Sequence, residues 1–346
     1  MSKEGELSRE GELLAALPAA ERALLDDAPA GEGYAVCPML AVLSDRREFD
    51  EGWIFERKLD GVRALGVREP EAARLLSRTG RQVNSSYPEI VDALGDQQCR
   101  DFTVDGEIVA FAHGRTDFAR LQQRMQLTDP EQARASGVAV TYYAFDLLRL
   151  NGRDLTRLPL RTRKSLLRRA LDFRTPLRFT PHRNRGGARE LDEACARGWE
   201  GLIAKRAAGR YQPRRSSDWL KLKCAQGQEL VIGGFTEPAG SRIGFGALLL
   251  GYYADNSFRY AGKVGTGFGQ RTLRRLRTLL DARGCARSPF DGPVRERGAH
   301  WVRPELVAQI GFTEWTRDGM LRHPRFLGLR DDKRPEDVVR ERPARG

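Results

Sequence analysis

An arginine guanidinium stays protonated at any physiological pH, whereas a lysine amine can lose its proton and become a nucleophile. The difference matters in a chain with 51 arginines and only 8 lysines. One lysine sits in Phe55-Glu56-Arg57-Lys58-Leu59-Asp60-Gly61-Val62-Arg63. Three more fall in Glu200-Gly201-Leu202-Ile203-Ala204-Lys205 and Lys221-Leu222-Lys223, and Lys333 closes Arg330-Asp331-Asp332-Lys333. Five of the 8 lysines are thus confined to short clusters of mixed charge, which surface solubility alone does not explain.

Strands must position these groups. Runs at Trp53–Phe55, Val62–Val67, Thr103–Phe111, Thr141–Leu148, Leu202–Lys205 and Trp219–Lys223 read as strands, and 88–95, 117–126, 161–172 and 188–197 as helices. With the two-residue period of a strand, Asp105 and Glu107 share one face and Val104 and Ile108 the other. Lys221 and Lys223 likewise oppose Leu220 and Leu222, and Tyr143 and Phe145 project together. One amphipathic strand is most simply a solvated sheet face. Three beside a Lys-Leu-Asp-Gly loop describe the wall of a site.

The set resembles the covalent nucleotidyltransferases, and within them the ATP-dependent DNA ligases. Lys58-Leu59-Asp60-Gly61-Val62-Arg63 is similar to the KxDGxR nucleophile motif, Ser77-Arg78-Thr79-Gly80 to SRxG, Asp105-Gly106-Glu107 to DGE and Phe145-Asp146 to the aromatic FD motif. Glu200–Lys205 looks like EGxxxK, Lys221–Lys223 like KxK and Arg330–Lys333 like RxDK, all in the family's order. The wording of Tyr142–Leu150, Tyr211–Lys223, Phe235–Gly251 and Phe312–Lys333 resembles the ligase module of bacterial multifunctional end-joining ligases. Their polymerase and phosphoesterase modules have no counterpart in these 346 residues, so the expectation is a stand-alone relative or an excised module. Arg57 departs from the pattern, which more often has an apolar residue or proline before the nucleophile.

The resemblance implies roles. Lys58 would attack the α-phosphorus of ATP and form a lysine–AMP phosphoramide, with Asp60 required nearby. Arg57, Arg63, Lys221 and Lys223 would lower the pKa of Lys58, and the last two would neutralise the α-phosphate. Glu107 and Glu200 would hold Mg²⁺, with Mn²⁺ as an alternative, and the ribose. Phe145 would stack on adenine beside Glu56. Arg63, Arg78 and Arg215 would serve ribose or phosphates, and Arg330 and Lys333 the β- and γ-phosphates. The implied fold is α+β: an adenylation domain of antiparallel sheets over 36–225, then an OB-fold over 226–340. An acidic extension occupies 1–35 and a tail 341–346. The shift at Ala225-Gln226-Gly227-Gln228 reads as a hinge that closes for the first step and opens to clamp DNA.

Composition agrees with such a partner. The formal charge is +12, and residues 1–30 carry seven acidic against three basic side chains, leaving +16 for the rest. A basic body suggests a polyanion, here nicked or broken duplex DNA, with a Ku-like end-binding protein as a further partner. The acidic start and the absence of a long apolar run argue against a secretory signal or membrane span, and the reading is a cytoplasmic monomer. Cys37, Cys99, Cys195, Cys224 and Cys285 form no CxxC pair and lie near no histidine at zinc-ligand spacing, so unpaired thiols in a reducing compartment are expected. The arm, despite Leu13, Leu14, Leu17, Leu24 and Leu25, reads as a loosely packed extension rather than a docking helix. Leu230–Phe235, Ala247–Tyr253, Phe258–Val264 and Val307–Trp315, with many glycines and a basic helix near 270–283, read as a small closed barrel. Two rivals stay open: an RNA ligase or GTP-dependent capping-type nucleotidyltransferase, and an inactive nucleic-acid-binding OB protein.

Overall fold

The computed structural model describes residues 9–27, 37–225, 227–238 and 243–343. Glu4 and Glu6 of the acidic arm, its end at Ala28-Pro29-Ala30-Gly31, Gln226, Gly240 and the last tail residues lie outside the described residues. The chain divides into one unit ending at Cys224 and a second running Ala225–Arg342.

Two sheets make the first unit. The larger has the order Asp26–Asp27, Arg153–Asp154, Val140–Leu150, Phe102–Ala112, Val62–Glu69, Ala72–Ser77, all antiparallel, with Leu177–Phe179 added parallel to Val140–Leu150. The second has the order His182–Arg183, Trp53–Arg57, Gly201–Arg206, Arg215–Lys223, Leu40–Leu43. Alternation works as the sequence requires: Val104 and Ile108 are wholly buried in the main core, as are Ile90, Phe102 and Leu147. The helix Leu160–Ala170 packs Leu166 and Leu167 into that core and turns Arg163 and Lys164 inward with them.

Two expectations are corrected here. The acidic arm is docked: Arg9–Ala15 is a helix, Leu13 and Leu14 are buried in the main core, and Leu17, Leu24 and Leu25 pack against it. The Arg9 guanidinium donates to the Arg169 carbonyl at 2.7 Å, and Arg157 meets Asp26 at 2.9 Å. Two buried and three partly buried leucines favour docking of the arm despite its charge. The thiols are not all unpaired either. Cys195, in the helix Ala188–Ala196, forms a disulfide with Cys224 just beyond the strand Arg215–Lys223, with Cα atoms 5.3 Å apart. Spacing along the chain could not show this, because 29 residues separate the two. Of the others only Cys99 is buried.

The second unit is an OB-like sheet in the order Ser257–Val264, Leu248–Ala254, Gly227–Thr236, Ala299–Gly311, Gly284–Cys285, with Arg325–Arg330 also on Ala299–Gly311. Register slips at Ile232/Gly234, Leu250/Gly251 and Gln309/Ile310 bend the strands. Among the described residues no strand pairing joins Ser257–Val264 to Arg325–Arg330, although the Phe326 N–H donates to the Thr266 carbonyl, just beyond the first of these strands, at 3.0 Å. The helix Gln270–Asp281 buries Leu273, Leu276 and Leu280 on this sheet and leaves Arg271, Arg274 and Arg275 exposed. No helix among the described residues is long and apolar enough to cross a membrane.

Candidate active site

Lys58 follows the strand Trp53–Arg57, and its backbone N–H donates to the Gly201 carbonyl at 2.9 Å. Its ammonium meets Glu200 Oε2 at 2.5 Å. Two glycines permit this geometry. A Cβ at Gly61 would lie 2.2 Å from the Ile108 carbonyl oxygen, and one at Gly201, where φ is +148°, only 1.9 Å from that of Leu222. Glycine in Lys-Leu-Asp-Gly and in Glu-Gly is therefore a packing requirement of the strands on either side.

The expected depression of the Lys58 pKa is overturned. Burial disfavours the ammonium, yet Glu200, then Asp60 and Glu107, hold it above the ordinary lysine range. Arg57 is committed elsewhere: its guanidinium lies 4.8 Å over the Trp199 ring. Arg63 is equally committed, forming a two-pronged ion pair with the buried Asp105. Tyr211 also donates to Asp105, at 2.6 Å, and accepts from the Met39 N–H at 3.0 Å.

Strand register brings the remaining lysines alongside. Lys223 is opposite Gly201, Lys221 is opposite Ile203, and Ile203 is in turn opposite Glu56. Leu220 and Leu222 are buried beneath. Phe145 is placed by a bulge: Asp105 is opposite Asp146 while Gly106 is opposite Ala144, which leaves Phe145 as the extra residue. Its ring is 8% exposed, with the Lys205 ammonium 4.1 Å and the Arg63 guanidinium 4.6 Å from its centre. Glu56 is buried between Lys164 at 2.5 Å and Lys205 at 2.7 Å. Burial would raise its carboxyl, but the two ammonium groups hold it below the usual carboxylate range.

The other expected residues have contacts of their own. Arg78 lies in the turn after Ala72–Ser77, where the Gly80 N–H donates to the Ser77 carbonyl at 2.8 Å. Arg215 is exposed at the far end of its strand from Lys223 and donates to the Ala41 carbonyl at 2.7 Å. Arg330 and Lys333 belong to the second unit, where Arg330 grips Asp332 at 2.8 Å and Lys333 meets Glu229 at 3.1 Å.

Residues 38–223 match the ATP dependent DNA ligase domain family, and residues 241–333 its C terminal region. The chain belongs to the ATP-dependent DNA ligase family. It is 39% identical over 318 residues to the multifunctional non-homologous end joining protein LigD of Pseudomonas aeruginosa, covering 89% of this chain and 37% of that protein. The Mycobacterium tuberculosis LigD is 39% identical over 297 residues, covering 84% of this chain and again 37% of the relative. The ligase chain thus spans well under half the length of these relatives. A solved structure of mycobacterial DNA ligase D complexed with ATP and MES matches with a TM-score of 0.62 at 35% identity, covering 90% of this chain and 100% of that one.

Sequence reading missed Lys164, Tyr211 and Trp219 as parts of the site and gave Lys205 no role. Lys205 is 2% exposed, and its ammonium also lies 4.0 Å from the Trp219 ring centre. Burial, opposed by Glu56 and reinforced by Lys164, holds its pKa below the lysine range. A signal existed: in Gly201–Arg206 the alternation that points Ile203 to the Glu56 side points Lys205 there too, opposite Trp219. Lys164 had none, since it interrupts the apolar stripe of an arginine-rich helix and reads as solvated.

Proposed function

We propose that this chain seals breaks in duplex DNA that carry a 5′-phosphate and a 3′-OH, at the expense of ATP and through a lysine–AMP intermediate. The observation that carries the reading is Lys58: an amine of 18% side-chain exposure, 2.5 Å from Glu200, in a chain of the DNA ligase family. In step one the deprotonated amine attacks the α-phosphorus of ATP. A P–N bond forms as the bond to the β-phosphate oxygen breaks, and pyrophosphate leaves. In step two an oxygen of the DNA 5′-phosphate attacks the same phosphorus and releases Lys58. In step three the 3′-OH attacks the activated 5′-phosphate and AMP departs. Lys221 and Lys223 supply positive charge to the α-phosphate, and Glu56 and Phe145 receive the base. Arg63, Arg78 and Arg215 are the proposed contacts to ribose and phosphates, and Arg330 and Lys333 to the departing pyrophosphate.

Asp60, Glu107 and Glu200 all act on one ammonium, an excess of hard oxygen donors that fits Mg²⁺ or Mn²⁺. Among the described residues no group of three ligand side chains is close enough to hold a metal ion by itself. Glu107 and Glu200 would hold it, and it would supply charge neutralisation on the phosphates. Neutralising these carboxylates also removes what keeps Lys58 protonated.

The end-joining relatives suggest a role in double-strand break repair in the bacterial cytoplasm, with a Ku-like protein as the recruiting partner. The test is sealing of a 5′-labelled nick in duplex DNA with ATP or GTP, and of the same nick in RNA. Sealing of the DNA with ATP is expected. Sealing only of RNA, or only with GTP, would move the chain to the rival enzyme class.

A further inference from the structure

Three of the 8 lysines belong to none of the motifs: Lys3, Lys164 and Lys263. Lys3 lies outside the described residues, and Lys263 is an exposed partner of Glu296 in the second unit. Lys164 is different, because it is 1% exposed on the inward face of the helix Leu160–Ala170. Arg163 beside it is committed to Asp146 at 2.7 and 2.9 Å.

The Lys164 ammonium has three donors and meets three acceptors: Glu56 Oε1 at 2.5 Å, the Thr180 carbonyl at 3.0 Å and the Phe145 carbonyl at 3.3 Å. Glu56 comes from the five-stranded sheet, and Phe145 from the bulge in the larger sheet. One ammonium therefore ties the Glu56 carboxylate of one sheet to the Phe145 backbone of the other. A planar guanidinium fork could not converge on these three oxygens, which accounts for a lysine in an arginine-rich helix.

As a stability device the arrangement is wasteful. Glu56 already has Lys205 at 2.7 Å, so Lys164 is a second buried cation on a single carboxylate. Desolvating that charge is costly, and an apolar side chain of similar size would fill the space at less expense. What Lys164 provides is placement. With one lysine on each oxygen, Glu56 is fixed with lone pairs remaining to accept further hydrogen bonds. Glu56 lies two residues before Lys58, on the same side of the strand, about 7 Å away along the chain. A base held there gains if it presents an amino N–H to Glu56 and loses if it presents a carbonyl, since two acceptors then oppose each other.

We propose that Lys164 is a positioning residue for base recognition: by fixing the Glu56 carboxylate it sets the preference for adenine over a 6-oxo purine. The inference rests on the ATP-dependent ligase reading. Its test uses the full chain, with Lys164→Met, Glu56→Gln and the double variant, in single-turnover adduct formation with ATP and with ITP. ITP differs from ATP in carrying a 6-oxo group in place of the amine.

For Lys164→Met the half-saturating ATP concentration should rise about tenfold, as for loss of a charged hydrogen bond. The limiting rate should stay within about twofold of wild type, a split between binding and rate that general loosening of the fold would not give. The preference for ATP over ITP should fall by a similar factor. The double variant should be no worse than the worse single, because Lys164 acts through Glu56. Wild-type ATP dependence and ITP discrimination in Lys164→Met would overturn the proposal, as would additive losses in the double variant. Should Lys164→Met fail to fold, Lys164→Gln keeps donors for two of the three acceptors. It must then show the same loss of discrimination, and a wild-type ratio would overturn the proposal. Failure of the ligase reading has a separate sign: wild-type protein would form no adduct with ATP at all.

Discussion

Lys58 waits in its protonated form. Glu200, Asp60 and Glu107 hold its pKa above the lysine range, so the reactive free amine is a minor species near neutrality. Single-turnover adduct formation at limiting Mg²⁺, where these carboxylates still hold the ammonium, should therefore climb with pH from about 6 to about 9, roughly in proportion to the free amine. The sign follows from a raised pKa: each step up in pH removes protons from a group that is still mostly charged. A profile flat across that range would mean that deprotonation of Lys58 does not limit the step. A neighbouring residue makes a stability prediction. Asp105 is buried, and Arg63 and Tyr211 both donate to it. Asp105→Asn would strand the guanidinium and should cost about 3–5 kcal/mol in denaturant unfolding. Unchanged stability would show that Arg63 finds another partner.

Strands decide which residues can meet, and the sequence carried much of that. The period of two placed Asp105 with Glu107 and Lys221 with Lys223 correctly, because Val104, Ile108, Leu220 and Leu222 are buried behind them. What it could not foresee was the bulge at Phe145, which re-aims one ring, or the inward turn of Lys164 on a helix rich in arginine. Ala72–Ser77 was missed because its Ala and Leu residues favour helix, and becomes a strand only by pairing with Val62–Glu69. Ala299–Gly311 starts earlier than read because Arg303, Pro304 and Glu305 disguise it. At this scale two glycines make the prediction. Gly201→Ala forces Cβ onto the Leu222 carbonyl oxygen and should push Lys58 and Lys223 apart, lowering adduct formation by at least about a hundredfold. Gly80→Ala meets open space, and its φ of +80° should cost only about 1–2 kcal/mol of stability. Equal adduct yields from the two variants would mean that the close approach at Gly201 does not position the nucleophile.

At the scale of the molecule, the division at Cys224 separates Lys58 and its neighbours from Arg330 and Lys333. Composition changes near the same point, to short, glycine-rich runs. It hid the docked arm and the disulfide, which depend on contacts between distant segments. The terminal cluster can be tested without harming its unit. Deleting residues 329–346 would remove Leu329 and Arg330 from a strand and the buried Val338, so Arg330→Gln is the cleaner change. It should slow adduct formation from ATP by about tenfold or more while sparing closure of a pre-adenylylated nick. Equal loss of both would give Arg330 a part on DNA. Covalent chemistry at Lys58 is tested by exposing the protein to α-labelled ATP, denaturing it and locating the label. Wild type should carry one AMP on the peptide containing Lys58. Lys58→Ala and Lys58→Arg should carry none, since neither side chain has a nucleophilic amine. Label retained by either variant, or found on another residue of the wild type, would contradict the assignment.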